Sequence, residues 1–158
     1  MSGQKEKTNV MRVLDSKKIS YVPHIYEADA TLSGAEIAEL LGEDPGHVFK
    51  TLVTAGSVGK YYVFVIPVAE ELNLKKAAAA VGEKSVRMIP QKELLPLTGY
   101  VHGGCSPIGM KKAFPTFLHQ SAEMLERICV SGGKVGCQIE LAPADLQRLA
   151  GLKYADLV

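Results

Sequence analysis

The hydrophobic positions of this chain change period several times, and each change marks an element. Val10, Val13 and Leu14 fall at helical spacing, which predicts a first helix over about Lys5–Lys17. "ISYVPHIYEA" then reads as a β segment, with Pro23 placing it at a sheet edge or a bulge. "SGAEIAELLG" opens with a capping box from Ser33 to Glu36, and Gly42 supplies the left-handed stop. "HVFKTLVTAG" and "KYYVFVIPVA" are apolar, β-branched and aromatic, with "GSVG" between them, the strongest hairpin signal in the chain. An alanine-rich helix follows from Asn73 to Gly82, then a short strand at "SVRMI" and a helical turn at "QKELLPL", limited by Pro96. "FPTFLHQ" and "RICVSGG" read as extended, with a short helix at "AEML" between them. A second hairpin turns at Gly132-Gly133-Lys134, and "PADLQRLAG" forms a terminal helix between Pro143 and Gly151. Hairpins outnumber clear βαβ units. The expected fold is α+β (α/β): a mixed, mainly antiparallel, barrel-like sheet surrounded by short helices.

Composition narrows the class. With 158 residues, 47% of them hydrophobic, the chain is expected to be one domain over 1–158 that buries its own core, with 1–8 as a frayed start. A net charge of +1 gives no overall pull toward nucleic acid or membrane, although a local basic patch could still grip a nucleic-acid end. No run approaches the roughly 18 apolar residues of a membrane span, and the polar start "MSGQKEKTN" has no secretion-signal core. Three irregularly spaced cysteines suit free thiols in a reducing compartment, so the expectation is a cytoplasmic protein without membrane association.

Candidate chemistry sits at two places. In "VFKTLV" the period-2 rule puts Val48, Lys50 and Leu52 on one face. A lysine between apolar neighbours either snorkels to water from an edge strand or aims a cation into a pocket, where it would bind an anion or a polarised carbonyl. The stretch "VHGGCSPIG", Val101 to Gly109, holds adjacent glycines that either make a tight turn or let backbone amides approach a ligand. It lacks the spacing of a dinucleotide fingerprint or a P-loop. Cys105 with His102 invites a thiolate–imidazole reading, but no third, orienting group is evident. Cys129 and Cys137 read as small core residues, and no metal-ligand spacing links the cysteines to His102. His24, His47 and His119 show no clear partners. The Lys17-Lys18, Lys75-Lys76 and Lys111-Lys112 pairs together could line a phosphate path.

"HVFKTLV", "NLKKAAAAVG", "TGYVHGGCSPIGMKK" and "VSGGKVGCQIELAPADL" occur in the order and spacing of the YbaK/EbsC family, the prolyl-tRNA-synthetase-associated editing domains. The chain resembles that family from about Val10 to its C-terminus, and most closely the free-standing Cys-tRNA(Pro) deacylase branch. The resemblance implies a trans-editing deacylase that cleaves the ester between a wrong amino acid and the 3′ end of a tRNA, without metal or other cofactor. It implies the tRNA acceptor end and prolyl-tRNA synthetase as partners. It matches the family's invariant lysine to Lys50 and its glycine loop to Gly103 and Gly104, followed by Ser106 and Pro107. Tyr26 matches a pocket tyrosine and Thr98 a threonine near the loop. In the mechanism it suggests, the substrate's own thiol attacks the ester while the Gly103 and Gly104 amides face the developing charge. Two positions depart from the pattern. Cys105 stands where an aliphatic residue is usual, which favours an inert thiol, and Gln138 stands where some relatives carry an acidic or small residue. Competing readings are a water-using editor of alanine or serine, a non-catalytic nucleotide or aminoacyl-adenylate binding module, and a thiol hydrolase built on Cys105.

Overall fold

The computed structural model describes residues 7–158. The expected frayed start falls outside the described residues for 1–6; Thr8 is the N-cap of the first helix, its side chain accepting from the Met11 amide. Among the described residues the elements run α1 (Asn9–Ser16), β1 (Val22–Ile25), α2 (Gly34–Leu40), β2 (Phe49–Ala55), β3 (Tyr61–Pro67), α3 (Leu74–Val81), β4 (Arg87–Met88), α4 (Leu94–Thr98), β5 (Thr116–His119), β6 (Ile128–Ser131), β7 (Cys137–Leu141), α5 (Pro143–Ala150) and β8 (Lys153–Ala155).

The strands form two sheets, one in the order β1-β7-β6 and one in the order β4-β2-β3-β5-β8. The first is antiparallel throughout; in the second β2 pairs antiparallel with β3 and β4, whereas β3–β5 and β5–β8 are parallel. A parallel bridge from Val48 to Cys129 joins the sheets. The expected α+β class and mixed, mainly antiparallel pairing hold, with the strands divided between two sheets that meet at this bridge. Pro23 lies in an edge strand, where its missing N–H breaks no central ladder.

Central β3 has an apolar run because both its faces are covered. Val63 and Val65 enter the main core with Val10, Leu14, Phe49, Val53, Leu118 and Ile139. Phe64 and Ile66 enter a second cluster with Ala77, Ala78 and Leu157 on the opposite side. Each such side chain contributes about 1.5–3 kcal/mol on full burial, so β3 anchors both layers.

Two local expectations are corrected. Pro96 does not limit its helical turn: it sits in the first turn of α4, where its missing N–H would have no helical partner, and the helix runs on to Thr98. β8 was not anticipated. It is three residues long and pairs in parallel with β5, so its only support is non-local. The chain end is tied down beyond it: the Leu157 N–H donates to His119 Nδ1 at 3.1 Å, and Lys76 Nζ donates to Asp156 at 2.9 Å and to the Val158 carbonyl at 2.6 Å. Lys76 is therefore engaged by the C-terminus rather than free to line a phosphate path. Among the described residues no helix is long and apolar enough to cross a membrane.

Candidate active site

β2 is the element that makes the site. Along one side it pairs with β3 over its whole length. Along the other, β4 reaches only Thr54 and Ala55, and the bridge to β6 involves only Val48. From Lys50 to Leu52 that edge pairs with no strand. A cavity of about 370 Å³ opens there, between the two sheets. Its lining brings together Tyr26, Lys50, Gly103 and Gln138 from four separate parts of the chain, with Thr51 and Ser131 beside them.

Lys50 is half-buried, and among the described residues its ammonium makes no ion pair or hydrogen bond. Burial holds its pKa below the ordinary lysine value, and the negative charges of Glu71 and then Glu70 oppose that shift. Lys50 lines the cavity, the placement expected of a pocket cation. Tyr26 continues β1, its N–H donating to the Gly136 carbonyl at 2.9 Å, and burial raises the pKa of its hydroxyl.

The glycine loop divides into parts with different jobs. Gly103 has φ of +87°, a backbone that favours glycine, and it is exposed at the cavity. Among the described residues its N–H has no acceptor. Gly104 is buried, and its N–H donates to the Val101 carbonyl at 3.0 Å. A Cβ there would stand 2.9 Å from Lys134 Cα, so this glycine exists to let the loop pack on the β6–β7 turn. The expectation that both amides face a developing charge is corrected for Gly104, whose donor is already committed within the loop.

Thr98, Ser106 and Pro107 do not join the others at the cavity. Thr98 is buried; its hydroxyl donates to the Leu94 carbonyl at 2.7 Å and accepts from the Tyr100 N–H at 3.0 Å, closing the end of α4. Ser106 has no exposed surface, and its Oγ accepts from the Ile108 N–H at 3.2 Å. Pro107 lines a different cleft, of about 180 Å³, with Val13, Phe114 and Leu149. The Tyr100 hydroxyl, bonded to the Ile108 carbonyl, ties the two ends of the loop together.

Cys105 and His102 both border the cavity, and no hydrogen bond joins them. Burial pushes the Cys105 thiol up to about 12, with Thr98 as its hydrogen-bond partner, so almost none of it is thiolate at neutral pH. Cys129 is likewise pushed up to about 12, by burial and then by the Glu43 and Glu140 carboxylates.

The residues that sequence reasoning missed are Thr51 and Ser131. Alternation along β2 assigns Thr51 to the face opposite Lys50, but a cavity at a strand edge is reached from both faces. Thr51 Oγ1 is buried with no hydrogen-bond partner among the described residues. Ser131 Oγ accepts from the Gly133 N–H at 3.1 Å, and its register opposite Gln138 puts the two at the same wall. Gln138 has a partner no pattern announces. With its amide oriented to suit both groups, Nε2 donates to the two Glu43 oxygens at 3.0 and 2.8 Å. Burial pushes the Glu43 pKa up, and the bond from Gln138 opposes it. The histidines also have partners: His24 bonds Glu140 at 2.7 Å, His47 lies 3.8 Å from Asp44, and His119 accepts from Leu157.

Residues 28–149 match the aminoacyl-tRNA editing domain. The chain is 46% identical over 153 residues to a protein of Enterococcus faecalis that carries the provisional name Cys-tRNA(Pro)/Cys-tRNA(Cys) deacylase EbsC, covering 96% of this chain and 93% of that one. It is 31% identical over 101 residues to the proline–tRNA ligase of Shouchella clausii, covering 64% of this chain but only 18% of the ligase. A crystal structure provisionally described as a trans-editing enzyme for prolyl tRNA synthetase superposes with a TM-score of 0.81 at 26% identity, covering 96% of this chain and 98% of that one.

Proposed function

This chain belongs to the aminoacyl-tRNA editing domain family, and from that premise we propose that it is a trans-acting deacylase that clears cysteine from mischarged tRNA(Pro). The observation that carries the reading is Lys50: a half-buried cation with no ion-pair partner among the described residues, at the open edge of β2, lining a cavity that also presents the Gly103 backbone. A desolvated ammonium without a counter-ion is costly unless a ligand supplies the charge. The acceptor end of a tRNA brings both phosphate and a polarised ester carbonyl. An editing step is needed because cysteine is close to proline in size, and an apolar pocket separates near-isosteres by only about 10–200-fold.

The substrate's own side chain provides the nucleophile. Its thiol gives up a proton, sulfur attacks the ester carbonyl, the carbon–oxygen bond to the tRNA 3′ end breaks, and that oxygen takes the proton. The protein supplies position and charge stabilisation. Lys50 holds the terminal phosphate or the carbonyl end, and the Gly103 amide is the loop donor left for the oxyanion. Tyr26, Thr51, Ser131 and Gln138 shape the pocket; Thr98, Ser106 and Gly104 serve by fixing the loop. A domain of this size and charge grips the acceptor end alone, so tRNA identity comes from prolyl-tRNA synthetase acting in the same complex.

A side-by-side time course with Cys-, Ser- and Ala-tRNA(Pro) tests this. An ordinary thiol with pKa near 8.5 supplies some thiolate at neutral pH and an alkyl hydroxyl almost none, so the cysteine ester is expected to be cleaved far faster. Comparable rates on all three would reassign the protein to a water-using editor of small amino acids. Binding without release of any amino acid would make it a non-catalytic binding module.

A further inference from the structure

Beside the Lys50 cavity, and walled from it by the Glu43–Gln138 pair, lies a second cleft of about 640 Å³. Strand register explains its chemistry. His24 pairs with Gln138, and Gln138 in turn with Ser131; Glu140 pairs with Cys129. Directly opposed residues of an antiparallel pair share a face, so all five lie on one face of the three-stranded sheet. Ile128, Val130, Ile139 and Leu141 alternate to the other face and enter the main core. Ser131 and Gln138 border the Lys50 cavity, whereas His24, Cys129 and Glu140 border the second cleft.

A ring nitrogen of His24, Cys129 Sγ and a Glu140 carboxylate oxygen all lie within 4.8 Å of one another. Arg127 Nε donates to Glu140 Oε2 at 3.0 Å and its NH2 to the Glu140 carbonyl at 3.0 Å, which leaves Oε1 facing His24 at 2.7 Å. A guanidinium held in this way orients a carboxylate ligand from behind. Zinc bonds of about 2.0–2.3 Å place tetrahedral ligand atoms about 3.3–3.8 Å apart, so the three atoms need close by only about an ångström at their widest. Glu43, Asp44, Glu126 and Glu140 line the cleft against a single guanidinium, a balance that favours a cation. One imidazole, one thiol and one carboxylate form a borderline-soft donor set, unlike the all-oxygen sites of calcium or magnesium.

We propose that His24, Cys129 and Glu140 bind a zinc ion in this cleft, with the fourth position open to water. On binding, Cys129 loses its thiol proton to solvent as the sulfur–zinc bond forms; His24 exchanges protons with solvent so that the ring carries its proton on Nδ1, and Nε2 and Glu140 Oε1 bind the ion in place of the hydrogen bond between them. No electron is transferred. This site stands on the register of β1, β6 and β7 and does not depend on the editing reaction.

The test uses Co²⁺ as a spectroscopic stand-in for zinc on the full chain. Titration is expected to give one equivalent of bound cobalt, a near-ultraviolet thiolate-to-cobalt band, and visible bands of four-coordinate intensity, all abolished by added zinc. Cys129→Ala should remove the thiolate band, and His24→Gln should weaken cobalt binding at least about tenfold. His24 lies partly exposed on an edge strand, so His24→Gln tests the site even if Cys129→Ala fails to fold. Cys105→Ala should bind cobalt as wild type does. No thiolate band in excess Co²⁺, a band that survives Cys129→Ala, or wild-type affinity in His24→Gln would each overturn the site.

Discussion

The two openings on one sheet face treat charge in opposite ways. In the larger cleft two carboxylates have polar partners, since His24 and Arg127 hold Glu140 and Gln138 holds Glu43, while Asp44 and Glu126 leave the lining acidic. In the smaller cavity Lys50 faces space, and its nearest charge relationships are the longer-range ones to Glu71 and Glu70. Size therefore does not identify the reaction site. A group left unpaired among the described residues, at a cost to stability, is what supports the proposed placement of the reaction at Lys50.

Lys50→Met breaks this contrast most sharply. Loss of a charge-assisted contact of about 1.5–3 kcal/mol corresponds to a fall of about tenfold to over a hundredfold in single-turnover deacylation. Stability should move the other way. The folded pKa of Lys50 lies below its value in the unfolded chain, so over that interval the unfolded state binds more protons and stability rises with pH. At neutral pH the buried ammonium is thus a penalty, and Lys50→Met is expected to melt at the wild-type temperature or above. A variant with wild-type turnover would remove Lys50 from the site.

Gly104→Val comes next, and it separates the loop's two glycines. The new side chain meets Lys134 and Val135 backbone atoms at 2.9–3.1 Å, which cannot yield as a flexible side chain would. Overpacking of this kind costs about 1–3 kcal/mol, so Tm and activity should fall together. Gly103→Ala meets only Val135 Cγ2 at 3.4 Å, and its main burden is the positive φ. It should lose more activity than stability. Equal loss of Tm in the two variants would make the whole loop a mere turn.

A smaller effect is expected of Glu43→Gln, in the wall between the two openings. Burial raises the folded pKa of Glu43 above its ordinary 4.5, so its stability contribution is full below that value and is lost as pH rises through the folded pKa. Relative to wild type, the glutamine variant should be more stable at pH 7 than at pH 4.5. Melting curves at both pH values check the sign; a parallel pH dependence would mean that Glu43 is ionised at no cost.

Legibility in the sequence followed the range of the interaction. The Ser33–Glu36 capping box, the β2–β3 hairpin and the Pro143–Gly151 helix were readable because each is signalled within about ten residues. Lys50 was visible as an anomaly in a period-2 strand. What was hidden depends on where strands do not pair: the free edge of β2, which lets Thr51 reach the same cavity as Lys50, follows from the shortness of β4 and the single bridge to β6. β8 and the Glu43–Gln138 pair join distant segments that no local pattern relates. Matching by resemblance carried Thr98, Ser106 and Pro107 to the loop, and side-chain geometry places them in the loop's own hydrogen bonds or in a separate cleft, outside the lining of the Lys50 cavity.

The smallest effect is expected from the residue that looks most reactive on paper. Cys105 borders the cavity, and a covalent mechanism would make it indispensable, with loss of many thousandfold on substitution. Its surroundings argue otherwise. A thiol pushed up to about 12 is thiolate in only about one molecule in 100,000 at pH 7. Lowering that pKa would require a nearby cation or an oriented imidazole, whereas the hydrogen-bond partner present is the Thr98 hydroxyl. Cys105→Ala should therefore keep deacylation of Cys-tRNA(Pro) within a few-fold of wild type. Its cost appears in packing instead: deleting one buried sulfur removes about 1 kcal/mol, a drop in Tm of about 2–4 °C. Alkylation sharpens the result, since a reagent that inactivates wild type and spares the alanine variant would restore the cysteine to the mechanism. With the substrate thiol as nucleophile, the opposite pattern is expected: S-methylating the cysteine of the tRNA stops the reaction in both proteins, and removing the protein's own thiol stops it in neither.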